Sequence, residues 1–444
     1  MVVCLVVLRQ DAALFISSLR HNSETERISR TIMQLLLKNA RLRGKETLVD
    51  IAIDNGFIKE VAPKIDVAAE TVIDANGKLV SPAFIDPHIH LDKVNIFDSC
   101  EKNAAGTLFG AIEMIWARKK NYTLEDILER SEDVVRMGIQ NGTQTMRTHV
   151  DVDTIGGLMP MKGVLALKEK YKDAMDIQVI AFPQEGILKD SGCDKLMWEA
   201  MEMGATIVGG MPANENSPED SLKHVKLCFD IAEKYDADID MHVDETLDPF
   251  YRTLEMVADE TVKRGWHGRV TAGHTCALGA YDNHYAAYLI EKCAKAGIHF
   301  ITNPVTNLIV QGREWGQRLV PRGTTRVKEL LKAGITVAFG QDCVNDAFYP
   351  FGNADMLEVA NISAHTLAMS MPDEIEKVYD MLTVDGAKIL RLENYGTDVG
   401  CRANLVVIDA EDIRSAIRLQ PARLYVIRDG RIIATTEKKQ SLYI

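Results

Sequence analysis

No stretch of this 444-residue chain approaches the ~20 consecutive apolar residues of a membrane-spanning helix. Its eight cysteines form no C-x-x-C pair, which removes the usual frame of a structural zinc knuckle. Their scatter from Cys4 to Cys401 suits a reducing, cytoplasmic setting rather than a disulfide-built fold. Basic clusters are absent beyond short runs such as Arg118-Lys119-Lys120, which read as a solvated helix face. With a formal charge of −13 and a pI near 5.4, this argues against nucleic acid or an anionic membrane as a partner. No Pro-, Gly- or Ser-rich linker and no low-complexity segment divides the chain. No G-x-G-x-x-G follows the first strand of the long central region, which counts against a dinucleotide site.

What remains has the balance of a soluble globular protein, 46% hydrophobic and 26% charged. Met1–Leu8 is apolar, but no basic residues precede it and Arg9 and Asp11 follow at once. It therefore does not read as a secretory signal, and residues 1–31 are set aside as an extension without an assigned role. From Thr31 onward short strands take over. Gln34–Leu42 and Leu48–Ile53 are apolar runs, and Asp54-Asn55-Gly56 is a hairpin signal. Strands return at Ala403–Ile408 and Leu424–Ile433. The two ends thus predict a small composite β-domain from residues 32–80 and 396–444.

Between them, residues 81–395 alternate strands with helix-length segments. Eight strands are expected, ending at Phe84–His90, Gln144–Val150, Gln178–Phe182, Thr206–Gly209, Asp238–Val243, Arg269–His274, His299–Asn303 and Thr336–Gly340. Eightfold alternation predicts an α/β fold, a closed (β/α)8 TIM-type barrel, with an open doubly wound sheet as the alternative. Reactive groups of such barrels gather at the carboxyl ends of the strands. Those ends carry a coherent set here. His88 and His90 share one face of strand one in Ser81–Lys93, which reads SPAFIDPHIHLDK. His242, followed by Asp244 and Glu245, ends strand five; His274 ends strand six; Asp342 follows strand eight. Imidazoles plus a carboxylate suit a catalytic divalent metal. Each histidine alone is more often a hydrogen-bonded core residue, but four at three strand ends are harder to dismiss.

These segments, with Arg147–Asp151, Phe182–Gly186, Asn303–Arg313, Gly106–Phe109 and Tyr349-Pro350, resemble the amidohydrolase superfamily and, within it, bacterial cytosine deaminases. The resemblance spans about Asn39 to Thr436. It implies that His88, His90, His242 and Asp342 bind one metal ion, Fe²⁺ or Zn²⁺. It further implies that Glu245 protonates the ring nitrogen beside the amine-bearing carbon. His274 and Asp342 would take a proton from the attacking water and pass protons to departing ammonia, and Gln184 would hydrogen-bond the ring. A homo-oligomer acting on a small heterocyclic substrate is implied by the same resemblance. Binuclear relatives bridge two metals with a lysine after strand four; here Val208–Asn216 contains none, so one metal is expected, with Glu215 the remote candidate for a bridge.

The chain departs from the cytosine deaminase pattern in its pocket. Gln341 and Cys343 stand where His and Asp flank the strand-eight aspartate, and Phe348 stands in place of Trp. Pro212–Glu215 replaces a Pro-His-Phe-Glu run. The reaction type is retained while the ring is in question. The expected function is deamination of cytosine or a related cyclic amidine, with creatinine, isocytosine and amino-triazines as alternatives. Cyclic-amide or N-alkyl hydrolysis and a non-catalytic barrel are further readings.

Overall fold

The computed structural model describes residues 32–100, 108–313 and 320–443. The 1–31 extension and Gly106 and Thr107 of the Gly106–Phe109 segment lie outside these residues. The described chain opens with β1 (Met33–Leu42), β2 (Val49–Asp54) and β3 (Phe57–Ala62), followed by β4 (Ala69–Asp74) and β5 (Leu79–Pro82). Asp54 pairs with Phe57 across a two-residue loop in which Asn55 and Gly56 have φ of 51° and 77°. Two left-handed residues in succession make the mirror-image turn whose twist matches a hairpin, and Asn-Gly tolerates it best.

The second layer is the barrel: β6 (Phe84–Ile89), β7 (Thr143–Asp151), β8 (Asp176–Phe182), β9 (Ile207–Val208), β10 (Asp238–Val243), β11 (Val270–His274), β12 (His299–Thr302) and β13 (Val337–Phe339). They pair in parallel and in chain order. Closure comes just past β13. Ile89 bridges Asp342 in parallel, with the Asp342 amide donating to the His88 carbonyl at 2.7 Å and the His90 amide to the Asp342 carbonyl at 3.1 Å. Closure therefore runs through the two residues that flank the site.

Crossover helices begin at polar caps: Thr123 accepts from the Asp126 amide before Leu124–Gln140, Ser217 from Asp220 before Pro218–Tyr235, and Asp282 from His284 and Tyr285 before Asn283–Ala296. Their apolar faces cover the sheet; Ile127 and Val134 of the first and Val225 and Phe229 of the second are buried.

After the barrel, β14 (Leu405–Ile408), β15 (Arg423–Arg428) and β16 (Arg431–Thr435) extend the first sheet in the order β16-β15-β14-β5-β1-β2-β3. Leu405 lies antiparallel to Pro82, which joins the two ends of the chain. Leu37, Ile51, Val80, Leu405 and Ile427 share one core there. No helix among the described residues is long and apolar enough to cross a membrane.

Candidate active site at the carboxyl end of the barrel

Each reactive side chain sits where a strand gives way to a loop. His88 and His90 leave β6 on the same side, His242 leaves β10, His274 ends β11 and Asp342 follows β13. All five are at least 96% buried. The His90 and His242 Nε2 atoms lie 3.1 Å apart, and Asp342 Oδ1 lies 3.3 Å from His90 Nε2 and 3.5 Å from His88 Nε2. One ligand atom from each of His88, His242, His274 and Asp342 falls within 4.8 Å of the others.

The backbone is bent to achieve this. His274 and Asp342 have φ of 63° and 66°, with Asp244 at 46° and Thr275 at 48°. Left-handed non-glycine residues concentrate at functional sites because surrounding structure must hold them there. Gly340 allows the approach of β13 to β6, since a Cβ there would meet His88 Cβ and Asn303 Oδ1 at 2.6 Å.

The donor set fits a divalent ion. Both nitrogens of His88 and Nδ1 of His90 and of His242 are buried without a hydrogen-bond partner among the described residues. Four imidazole nitrogens left unpaired in a dry site would be costly. Imidazoles and a carboxylate in this arrangement are the ligands that zinc and ferrous iron accept. Burial holds His90 neutral, its pKa lowered to about 4, with Lys93 adding to the effect. Burial would raise Asp342, but the adjacent His274, His88 and His90 outweigh it and hold the carboxyl well below its usual range. The set therefore consists of neutral nitrogens and an ionised carboxylate, which is the protonation state that ligation requires.

Glu245 has the opposite electrostatics. Burial first, and the Asp342 charge second, push its carboxyl well above the usual range, although a bond from Asn307 opposes them. Asn307 Nδ2 donates to Glu245 Oε1 at 2.9 Å. The same amide's Oδ1 lies 3.2 Å from His274 Nδ1, and Glu245 Oε1 also lies 3.2 Å from that nitrogen. An amide oxygen can only accept, so His274 carries its proton on Nδ1 and keeps Nε2 as the basic atom. Burial lowers the His274 pKa to about 3. A carboxyl pushed toward its protonated form and an imidazole held neutral face one another in a single site.

Gln184, His90, Glu245, Asp342, Cys343 and Phe348 border one small inner cavity, which brings all three expected pocket residues to the expected metal ligands. His242 and Glu245 also line a larger cleft of about 550 Å³. Glu215 is not a bridge. Its carboxylate accepts from the amides of Ile187, Leu188 and Lys189 and meets His224 Nδ1 at 2.7 Å, so it ties two loops together.

Several participants are not apparent from the sequence pattern. Asn307 lies within Asn303–Arg313, but nothing local marks its role. Asn303 Nδ2 lies 3.2 Å from His274 Nε2. His149 stacks against His88 with ring centroids 4.1 Å apart. Lys93 is a fully buried cation beside Gln184. In each case the signal is a tertiary contact to a residue at least 29 positions away.

A closed parallel barrel with imidazoles, carboxylates and a small cavity gathered at one end defines a barrel hydrolase with a centre suited to a metal ion. The amidohydrolase family model matches residues 71–188 and 134–434. The solved 5-methylcytosine deaminase of Klebsiella pneumoniae, liganded with 5-fluorocytosine, is 38% identical, with a TM-score of 0.88 over 92% of this chain and 99% of that one. N-isopropylammelide isopropyl amidohydrolase of Pseudomonas sp. (strain ADP) is 34% identical over 91% of this chain and 98% of its own length. Pterin deaminase of Rhizobium rhizogenes (strain K84 / ATCC BAA-868) is 31% identical over 86% of this chain and 87% of its own. The chain belongs to the amidohydrolase family and is a hydrolase of C–N bonds.

Proposed function

We propose that this enzyme hydrolytically deaminates a small cyclic amidine of the cytosine type, preferring a ring with added bulk such as a 5-substituted cytosine over cytosine itself. The observation that carries the reading is the buried pair Glu245–His274, 3.2 Å apart beside Asp342, at the edge of the cavity that Gln184 also borders. Replacing C–NH₂ by C=O needs a proton for the ring nitrogen and a proton for the leaving amine, and water supplies both. Glu245, held protonated, gives a proton to the ring nitrogen and makes the neighbouring carbon electrophilic. His274 and Asp342 accept one proton from the attacking water and return it to the amine, which leaves as ammonia, while the remaining O–H proton restores Glu245 as the C=O bond forms. His88, His90, His242 and Asp342 would hold one divalent ion, Fe²⁺ or Zn²⁺, which would lower the pKa of water toward ~7. Gln184 orients the ring. Cys343 and Phe348 form a wall less polar than a carboxylate and an indole would, which favours a substituted ring.

The likeness to N-isopropylammelide isopropyl amidohydrolase supports a second reading, release of an alkylamine from a triazine ring. Both are tested by incubating purified protein with cytosine, 5-methylcytosine, isocytosine, creatinine, amino-triazines and N-isopropylammelide. The expected result is ammonia release with the ring intact, fastest for a ring other than cytosine. Isopropylamine release as the best reaction would move the assignment to the second reading, and ring opening would overturn both.

A further inference from the structure

We infer that Lys93 is a positioning residue that fixes the direction of the Gln184 amide, so that the inner cavity offers a hydrogen-bond donor and selects rings carrying an acceptor at that atom. This rests on the proposed reading that a heterocyclic ring occupies the cavity beside Glu245.

Lys93 ends the short 3-10 turn Leu91–Lys93 that begins directly after His90, and its side chain is fully buried. Its Nζ donates to Asp151 Oδ1 and to Gln184 Oε1, both at 2.6 Å. The other Asp151 oxygen meets Lys119 Nζ at 2.5 Å and Lys119 donates to Asp153 at 2.6 Å, so Lys119 is buried and paired rather than part of the solvated face expected for Arg118-Lys119-Lys120. The cation is therefore anchored from behind by a rigid ionic network. Burial alone would lower the Lys93 pKa, but the Asp151 and Asp92 carboxylates outweigh it and the amine stays charged.

An ammonium has three donors and no acceptor. The atom that meets it must be the amide oxygen of Gln184, and the amide nitrogen must face away. Gln184 cannot relax by swinging its backbone, because Asn214 Nδ2 donates to its carbonyl at 2.7 Å. Nε2 of Gln184 is left buried with no partner among the described residues, on a side chain that borders the cavity. A buried NH₂ without a partner is costly, and a ligand oxygen or bare ring nitrogen would satisfy it. An amino group or ring N–H at the same point would set donor against donor. Lys93 does not touch the ring in this arrangement; it decides the polarity of the group that does.

A structural role alone, in which Lys93 merely neutralises Asp151, makes a different prediction. Loss of the charge would then lower stability or rate for every substrate alike. The test compares two rings sharing the reacting C4–NH₂, cytosine (2-oxo with N1–H) and 2,4-diaminopyrimidine (2-amino with a bare N1), which exchange acceptor for donor at C2, at a pH where both are neutral. Wild-type protein should favour the oxo ring in kcat/KM by at least ~10-fold, the lower range for a mispaired buried polar group. Lys93→Met should shrink that ratio at least severalfold. Gln184→Glu, with Lys93 retained, should invert it, because one carboxylate oxygen bonds Lys93 and the other becomes an acceptor. A ratio unchanged in both variants, whatever the absolute rates, overturns the assignment. If Lys93→Met does not fold, Gln184→Glu decides alone, inversion supporting the inference and an unchanged ratio overturning it. Wild-type protein that deaminates neither these two rings nor any ring of the wider panel overturns the functional reading and the inference together. That signature is distinct from turnover without discrimination.

Discussion

Asn307 donates from Nδ2 to Glu245 Oε1 at 2.9 Å, joining a helix that begins at Pro304 to the loop after β10. Its oxygen accepts from His274 at 3.2 Å. One amide thereby orients the acid and sets the tautomer of the base. Asn307→Leu keeps the volume and removes both bonds. We expect kcat to fall by about 10- to 100-fold, in the range seen when an outer contact that orients a site residue is lost, with KM and metal content little changed. Steady-state kinetics with elemental analysis checks this. Unaltered kcat would show that Glu245 and His274 are held by other contacts.

Glu245→Gln should leave the fold and metal content intact while lowering kcat by at least ~10², the lower range for general acid catalysis. The amide is nearly isosteric and still accepts from Asn307, so only the transferable proton is lost. A change confined to KM would assign Glu245 to uniform binding instead. A rate within about threefold of the parent would remove it from the mechanism.

The unpaired nitrogens of His88, His90 and His242 lead to a metal prediction. Purified protein should hold about one divalent ion per chain, lose activity on chelation and recover on addition of Fe²⁺ or Zn²⁺. His88→Ala and His242→Ala should each lose both metal and activity. A requirement for two equivalents would overturn the single-ion assignment. So would full metal content in both variants.

The barrel is legible in the sequence because each strand is a short apolar run ending in a residue that such a run does not otherwise need. His88 and His90 share a face because alternate strand residues do, and His242 and His274 mark the ends of β10 and β11 in the same way. The closure is less legible. It depends on the bridge between Ile89 and Asp342, 253 residues apart in sequence, and on left-handed backbone at His274 and Asp342, which no local pattern announces. Lys93 illustrates a second limit. A lysine after Leu-Asp reads as exposed, and only the arrival of Asp151 from β7 and Gln184 after β8 makes a buried cation tenable. Charges paired across the barrel are tertiary facts, whereas hydrophobic alternation is a local one.

Acid should remove the stability that neutral buried imidazoles contribute. Burial lowers the pKa of His299 to about 4, with Lys388 and Arg147 adding to the effect, and burial likewise lowers that of His224. A histidine whose folded pKa lies below its unfolded value near 6.5 contributes stability that is present above that value. The contribution is lost as pH falls, because the unfolded chain takes up the proton first. These two histidines therefore pull denaturant midpoints down between about pH 6.5 and pH 4, while buried carboxyls such as Asp346, whose folded pKa is raised to about 7, act in the opposite sense. His299→Asn should flatten part of that slope. The same pH slope in the parent and in His299→Asn would contradict the assignment of a neutral buried imidazole at His299.

The pocket wall yields the last prediction. Cys343 and Phe348 both border the inner cavity with Glu245, and Asp346, three residues beyond Cys343, is a carboxyl that burial pushes up to about 7. Where the cytosine deaminase pattern has a carboxylate and an indole, this wall offers a thiol and a phenyl ring. A ring edge that presents N–H to the wall loses a partner here, while a methyl or other apolar substituent gains room. Cytosine should therefore be a poorer substrate than a substituted cyclic amidine. Cys343→Asp should shift relative kcat/KM back toward cytosine, by the equivalent of ~1–3 kcal/mol if a single group decides the matter. The new carboxylate would sit beside Asp346, so one of the two would hold a proton at neutral pH, and the shift toward cytosine should grow as pH rises and both ionise. Adding Phe348→Trp should carry it further by refilling the space. The measurement is kcat/KM for cytosine and 5-methylcytosine in the parent, single and double variants across pH. Cytosine as the best substrate of the parent, with a ratio that neither change moves, would show that Cys343 and Phe348 do not face the ring.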